Sequence, residues 1–160
     1  MNLGTWAVRR SFLSAEKIAV VDGDLRFTYR ELNDRINAVA HMMLRKGLKK
    51  GDRIAGLLMN CHEFLELYFA TAKLGIIMVP LNYRLSAEEL ELIIKDSGSI
   101  VLVYSEEFRE VIESLRDKIE INDYIVTSKR APIGSESFEE LLTIESKREP
   151  SVHWQVGWDD

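Results

Sequence analysis

The chain has 160 residues and a mass of 18.4 kDa, which fits one ordinary domain with enough length to bury a core. Its 21 Lys and Arg residues against 26 Asp and Glu residues give a formal net charge of −5, which argues against nucleic acid or an anionic membrane as the main partner. A hydrophobic content of 46% excludes wholesale disorder, and the single cysteine, Cys61, excludes an internal disulfide and a cysteine-based zinc cluster.

A short helix and a hairpin are predicted at the start of the chain. Apolar side chains within Leu3–Phe12 have the spacing of a short amphipathic helix. The β-branched stretch Lys17–Val21 and the alternating stretch Leu25–Phe27 flank Asp22-Gly23-Asp24, a turn sequence typical of tight hairpins. We therefore expect a small N-terminal β-hairpin.

A longer helix and a buried strand are predicted next. Thr28 and Glu31 match a capping box, in which the two side chains satisfy free backbone amides at a helix start. Gly47 is the expected stop, because glycine adopts the left-handed conformation of a helix end without steric cost. The compact apolar run Ile54–Met59 then predicts a buried strand. The apolar stripe of the helix consists of Leu32, Ile36, Val39, Ala40 and Met43.

The segment His62–Leu74 predicts a helix that is apolar on nearly every side. Only Glu63, Glu66 and Lys73 interrupt it, as a narrow polar stripe. A helix of this composition is normally covered on more than one side. We therefore expect it to lie inside the fold.

Strands and helices alternate over the rest of the chain. Ser86 and Glu89 form a second capping box. The predicted elements are a strand at 76–79, a helix from Ser86, a strand at 100–104, a helix at 108–119, a strand at 124–127 and a helix from Ser137. This order predicts an α/β fold: a mainly parallel sheet flanked by helices, together with the small N-terminal β-hairpin.

Residues 1–146 are expected to form one α/β subdomain, and residues 147–160 an extended tail. Pro150, Trp154 and Trp158 have no periodic pattern, but two tryptophans are costly to leave in water, so we expect them to pack against something. Because no terminal element precedes Asp160, the sequence is expected to continue in the natural protein.

Neither common phosphate-binding loop is present in the sequence. No two glycines are separated by a single residue, so the Gly-x-Gly-x-x-Gly fingerprint does not occur. Gly51 and Gly56 have the spacing of a P-loop, but Leu57 and Leu58 stand where Lys and Ser or Thr are required.

The histidines and the cysteine do not predict catalysis. His41, His62 and His153 have no metal-ligand spacing to one another or to carboxylates that predicts a metal site. Cys61 and His62 are adjacent at a helix start, where a nucleophile and its base seldom meet, so we expect a buried or capping role. The carboxylates are expected mostly on solvent-facing helix surfaces.

Two functions stay open on the residues considered so far. One is a non-catalytic α/β interaction module. The other is a phospho-receiver-like switch, in which Asp22 and Asp24 supply the acidic end of a strand and Lys129 supplies the receiver's lysine. A receiver enters a helix directly after its acidic cluster, whereas residues 25–27 predict a second strand.

Several segments match a set of motifs in one order along the chain. The segments are Phe27–Asn33 ("TY-x-EL"), Gly47–Ala55 ("GDRVA"), Met59–Phe64 ("N-x-x-EF"), Ala70–Ile76 and Val79–Asn82 ("G-A-V-x-V-P-L-N"), and Asp96–Gly98. Each motif is weak alone, but their order and spacing cover nearly the whole chain. Together they resemble the acyl-CoA synthetases, AMP-forming members of the adenylate-forming enzymes.

The resemblance implies the N-terminal part of a long-chain fatty-acid–CoA ligase-like enzyme. Such ligases use ATP and Mg²⁺ to convert a carboxylic acid to an acyl-adenylate and pyrophosphate, then transfer the acyl group to coenzyme A. Their phosphate loop, nucleotide site and catalytic lysine follow later in the sequence, so we assign no catalytic, cofactor-binding or metal-binding residue to this chain. It is expected to bind no cofactor and to be inactive alone.

The resemblance also suggests which residues face a substrate, which partners the chain has and where it is located. The motif residues are expected to be architectural, with Asn82, Tyr83 and Arg84 the candidates for facing a substrate because ligands gather at the carboxyl ends of parallel strands. The acyl group stays open among fatty, aryl and luciferase-type acids. The remainder of the ligase is the expected partner, and an apolar patch left without it predicts a dimer of this chain. Without a secretory or membrane-spanning segment, the expected location is cytoplasmic.

Overall fold

The structure is a computed structural model that describes residues 3–153 and 156–157. These residues form two compact units. The first unit takes in the described residues of 1–51, 61–77 and 144–160, and the second unit takes in residues 52–60 and 78–143. Trp154 and Trp158, for which we predict packing, lie outside the described residues.

The first unit is built from helices and a hairpin. Helix α1 (Thr5–Leu13) precedes strands β1 (Ile18–Asp22) and β2 (Leu25–Thr28), which pair in antiparallel register with Asp22 opposite Leu25. Gly23 has a φ of +55° in the turn between them, a conformation that favours glycine. The predicted hairpin is therefore confirmed.

Two longer helices, α2 (Tyr29–Arg45) and α3 (His62–Leu74), pack against each other in this unit. The predicted capping box of α2 is present, because Thr28 N–H donates to the Glu31 carboxylate at 2.8 Å and Glu31 N–H donates to the Thr28 hydroxyl at 3.2 Å. The apolar residues of the two helices that are fully or almost fully buried include Leu32, Ile36, Val39, Met43, Leu67, Ala70 and Leu74.

The polar stripe of α3 is not a solvent-facing stripe. Glu66 is 0% exposed, and the Lys73 side chain is only 5% exposed. Both are paired with opposite charges from the same unit, which allows them to be buried. The expectation that carboxylates lie on solvent-facing surfaces is therefore wrong for Glu66.

The second unit contains the sheet. Its strands are β3 (Arg53–Leu57), β4 (Ile77–Pro80), β5 (Val101–Tyr104), β6 (Asp123–Val126) and β7 (Glu136–Ser137), in the spatial order β4-β3-β5-β6-β7. The β3–β5, β5–β6 and β6–β7 pairs are parallel, which confirms the predicted mainly parallel sheet. The short strand β7 was not expected, because two residues are too few to show a period.

Helices α4 (Ala87–Ser97), α5 (Arg109–Leu115) and α6 (Phe138–Thr143) belong to the same unit. The capping box at Ser86 is present as predicted. A 3₁₀ turn at Glu106–Phe108 precedes α5, so the expected helix over 108–119 is shorter in the structure. The core combines strand and helix residues, namely Ala55, Leu57, Leu81, Leu90, Ile94, Leu102, Tyr104, Ile112, Leu115, Ile119 and Val126.

Candidate functional site

The most concentrated group of ionisable side chains lies at the first turn of α3, in the first unit. We call Asp22, Arg35, His62, Glu63 and Glu66 the α3 cluster. Asp22 is the last residue of β1, Arg35 belongs to α2, and the other three belong to α3. The hairpin and the two helices therefore bring together residues that are far apart in the sequence.

Arg35 and Glu66 form a two-point ion pair within the α3 cluster. The Arg35 Nε lies 2.5 Å from Oε1 of Glu66, and Nη2 lies 3.1 Å from Oε2. The Glu66 side chain is 0% exposed and that of Arg35 is 20% exposed. Arginine suits this position because its planar guanidinium matches both oxygens of a carboxylate.

The His62 imidazole is buried beside two carboxylates. Its Nδ1 lies 3.2 Å from Oε1 of Glu66 and 3.4 Å from Oε2 of Glu63. Neither contact has hydrogen-bond geometry, so both are electrostatic. Burial works against the charged form, but Glu66 and Glu63 outweigh it and raise the pKa of His62 above its usual value. Phe27 packs edge-on against the imidazole at a centroid distance of 4.9 Å.

Asp22 caps the first turn of α3. One of its carboxylate oxygens accepts a hydrogen bond from the backbone N–H of His62 at 2.9 Å, which places negative charge at a helix N-terminus. Asp22, His62 and Glu63 each offer one metal-ligand atom, and these atoms lie within 4.8 Å of one another. This arrangement leaves no signal in the sequence, because only the hairpin brings Asp22 next to α3.

The surroundings of Cys61 disfavour its thiolate form. Burial, reinforced by the negative charge of Glu63, raises the pKa of the thiol to about 12. A thiol with this pKa stays protonated and unreactive near neutral pH. Cys61 occupies the N-cap position of α3 without a side-chain capping bond, and Asp22 supplies the cap instead.

A second buried charge, that of Lys73, joins the C-terminal segment containing Glu149 to the helices of the first unit. The Lys73 ammonium donates to both Glu149 oxygens at 2.9 and 2.8 Å, to Asn33 at 3.0 Å and to Asn37 at 2.6 Å. Burial opposes the charge on Glu149, but the hydrogen bonds from Lys73, Asn33 and Asn37 outweigh it and lower the pKa of this carboxyl. Burial also lowers the pKa of Lys73, against the opposing effect of Glu149.

The proposed substrate-facing residues follow β4 in the second unit. The Tyr83 ring stacks on Phe108 with centroids 6.1 Å apart, and the Arg84 guanidinium lies 5.7 Å from the centroid of Tyr83. The side-chain oxygen of Asn82 accepts a hydrogen bond from Arg84 N–H at 3.0 Å, which closes a local turn. These contacts tie the three residues to one another and to Phe108.

The receiver hypothesis does not fit the observed strands. Asp22 and Asp24 belong to an antiparallel hairpin, whereas Lys129 follows β6 of the five-stranded sheet. A receiver requires its acidic residues and its lysine on one parallel sheet.

Within the described part of the chain, no helix combines the length and apolar character needed to cross a membrane.

Comparison with known proteins defines the class of this fold. The sequence profile described as "AMP-binding enzyme" matches residues 9–155. The structure aligns with the anthranilate CoA ligase AuaEII, solved with anthranoyl-AMP, at a TM-score of 0.90 and 25% identity over 94% of this chain and 30% of that one. It also aligns with the N-terminal domain of FACL13 from Mycobacterium tuberculosis at a TM-score of 0.85 and 33% identity, covering 96% of this chain and 38% of that one.

The chain belongs to the AMP-binding enzyme family. It is 34% identical to the long-chain-fatty-acid–CoA ligase FadD13 of Mycobacterium tuberculosis over 99% of this chain, and it spans 31% of the length of that ligase. It is also 39% identical to a feruloyl-CoA synthase of an Amycolatopsis species over 71% of this chain and 23% of that synthase.

Proposed function

We propose that this chain is the N-terminal scaffold of an AMP-forming acid–CoA ligase. The whole protein converts a carboxylic acid and ATP to an acyl-adenylate and pyrophosphate, and coenzyme A then displaces AMP to give the thioester. The observation that carries the proposal is similarity to a fatty-acid–CoA ligase over 99% of the chain but only 31% of that ligase. A fatty acid is the first substrate to test, and the feruloyl-CoA synthase match supports an aryl acid as the second.

In this proposal, the residues of this chain form the scaffold of the ligase, and the catalytic residues belong to the rest of the protein. Residues 1–146 form the α/β subdomain in this proposal, and residues 147–160 lead toward a phosphate loop in the rest of the protein. The ion pair of Lys73 and Glu149 fixes the start of the tail on the helices of the first unit. ATP, Mg²⁺ and coenzyme A are the cofactors of the whole protein, and the chain alone binds none of them.

The direct test compares the 160-residue chain with the polypeptide extended along its own reading frame. We expect the extended protein to release pyrophosphate when given ATP, Mg²⁺ and a carboxylic acid, and to form a thioester when coenzyme A is added. The 160-residue chain is expected to stay at the blank rate in both assays. Parallel reactions with palmitate and ferulate identify the acyl class, and chelation of Mg²⁺ with EDTA is the control.

Two results would contradict the proposal. One is ATP turnover by the 160-residue chain alone. The other is an extended reading frame that lacks a Ser/Thr/Gly-rich loop followed by lysine, which would favour the non-catalytic interaction module.

The chain by itself is expected to form a dimer, since apolar side chains remain exposed. Phe12 is 83% exposed and Leu13 is 72% exposed on α1, and Tyr68 is 38% exposed on α3. Sedimentation velocity over a range of concentrations should show a second copy bound, and the dimer should persist in about 1 M NaCl because apolar contacts are not screened by salt. A monomer at every concentration, or a dimer that salt dissociates, would count against an apolar interface.

A cytoplasmic location is part of the proposal. It is supported by the single cysteine, Cys61, which leaves the chain without an internal disulfide.

A further inference from the structure

One buried nitrogen in the α3 cluster lacks a hydrogen-bond partner. His62 is only 6% exposed, and its Nδ1 is the one buried side-chain nitrogen or oxygen without a hydrogen bond among the described residues. Buried polar atoms are nearly always satisfied, since leaving one without a partner costs free energy. This nitrogen faces the carboxylates of Glu63 and Glu66, which cannot donate a proton to it when ionised.

We propose that Asp22, His62 and Glu63 bind a zinc ion, with Nδ1 of His62 as the nitrogen ligand. Their ligand atoms lie within 4.8 Å of one another. Two ligands at zinc distances and a tetrahedral angle are separated by about 3.3 Å, and Nδ1 of His62 lies 3.4 Å from Oε2 of Glu63. Asp22 is the third residue of the ligand set.

The ligand chemistry selects zinc over the abundant alkaline-earth ions. An imidazole nitrogen with carboxylate oxygens suits Zn²⁺, whereas Mg²⁺ and Ca²⁺ prefer oxygen ligands alone. Asp22 already accepts the His62 N–H with one oxygen, and a carboxylate has a second oxygen for a metal.

The charges around His62 also favour a divalent cation. Three carboxylates, from Asp22, Glu63 and Glu66, face a single guanidinium from Arg35 within the α3 cluster. Before His62 is counted, these groups carry a net charge of −2, which one Zn²⁺ would neutralise. The positive end of the α3 dipole opposes the cation, but Asp22 already occupies that helix end.

The surroundings hold the ligands in place. Phe27 packs against the His62 ring, and Arg35 fixes Glu66 behind it. Groups of this kind orient metal ligands and contribute to affinity. Because Asp22 belongs to the hairpin and His62 to α3, bound zinc ties these two elements of the first unit together. No metal site is predicted here from the sequence, since Asp22 and His62 are separated by 40 positions.

The test uses Zn²⁺ alone on the 160-residue chain after dialysis against EDTA. Competition with a chromophoric chelator should give one zinc per chain, and zinc should raise the thermal unfolding midpoint. In a long-range ¹H–¹⁵N spectrum of the histidines, zinc should shift the Nδ1 resonance of His62.

The variants separate this site from other zinc-binding groups. Asp22→Asn, His62→Gln and Glu63→Gln should each weaken zinc binding by at least about 10-fold. The amide oxygen of Asn can still accept the hydrogen bond from His62 N–H, so Asp22→Asn keeps the contact at the helix start and removes the negative charge of the ligand. Cys61→Ser and His41→Gln are the matched controls and should bind zinc like the wild type, since neither belongs to the ligand set.

Three results would overturn the proposal. The first is the absence of stoichiometric zinc binding at micromolar concentrations. The second is loss of binding in Cys61→Ser or His41→Gln with retention in His62→Gln. The third is unchanged affinity in both Asp22→Asn and Glu63→Gln, when circular dichroism shows that these variants are folded.

Discussion

Replacing Arg35 with leucine is expected to lower the free energy of unfolding by about 3–5 kcal/mol, the cost of leaving a buried charge without its partner. The Glu66 carboxylate is 0% exposed and makes contacts of 2.5 and 3.1 Å with Arg35. Without the guanidinium, Glu66 must stay charged in a dry environment or take up a proton. Urea denaturation at pH 7, followed by circular dichroism, measures the loss.

Two further variants show whether burial causes this effect. Arg30→Leu breaks an ion pair with Glu16 whose side chains are 61% and 79% exposed, so it should cost less than about 1 kcal/mol. The double variant Arg35→Leu/Glu66→Leu should regain most of the loss, because apolar side chains can replace a buried pair. Equal losses in Arg35→Leu and Arg30→Leu would contradict the prediction.

The second large effect is expected for Glu149→Gln, which should lower the free energy of unfolding by roughly 2–3 kcal/mol at pH 7. The substitution leaves the Lys73 ammonium, whose side chain is 5% exposed, without a negative partner. The expected loss is smaller than for Arg35→Leu because the Glu149 side chain is 46% exposed and partly screened by water.

The dependence on pH distinguishes a charge effect from a packing effect. The pKa of Glu149 in the folded chain is below its ordinary value of 4.5, so the folded state binds fewer protons than the unfolded state between the two values. The contribution of Glu149 is therefore fully present above about pH 4.5 and is lost as the pH falls through the folded value. The difference between wild type and Glu149→Gln should be constant from pH 7 to about 5.5 and shrink toward pH 3.

Glu145→Gln is the matched control on the same segment. Glu145 pairs with Arg45, whose side chain is 46% exposed. The Arg45 guanidinium is therefore hydrated by water when the pair is broken. The control should cost less than about 1 kcal/mol. A Glu149→Gln loss that matches this control, or that persists undiminished at pH 3, would show that the buried pair does not hold the segment.

Most of the fold could be predicted from patterns among residues that are close in the sequence. The capping boxes at Thr28 and Ser86 and the turn at Gly23 depend on neighbouring residues only, and all three occur where the sequence places them. The parallel order followed from alternating strands and helices. Strand β7 could not be predicted, because a two-residue strand exists only through its pairing with β6.

Less of the candidate site than of the fold could be predicted from the sequence. The stripe of Glu63, Glu66 and Lys73 looks like an ordinary solvent face, and its burial depends on Arg35 and Glu149, which come from other segments. The zinc ligands proposed at Asp22 and His62 likewise meet only through hairpin packing. Charged groups that are buried with partners distant in sequence leave no local pattern to detect.

The division of the first unit into three separate stretches has a consequence for synthesis on the ribosome. Lys73 is made 76 positions before Glu149, which completes its ion pair. At translation rates of about 5–20 residues per second, roughly 4–15 seconds pass between the synthesis of Lys73 and that of Glu149. The second unit contains no residue beyond Thr143, so its whole sequence is translated before Glu149 is added. Until Glu149 is added, the helices of the first unit carry the Lys73 charge without its carboxylate partner, and the third stretch of that unit supplies it.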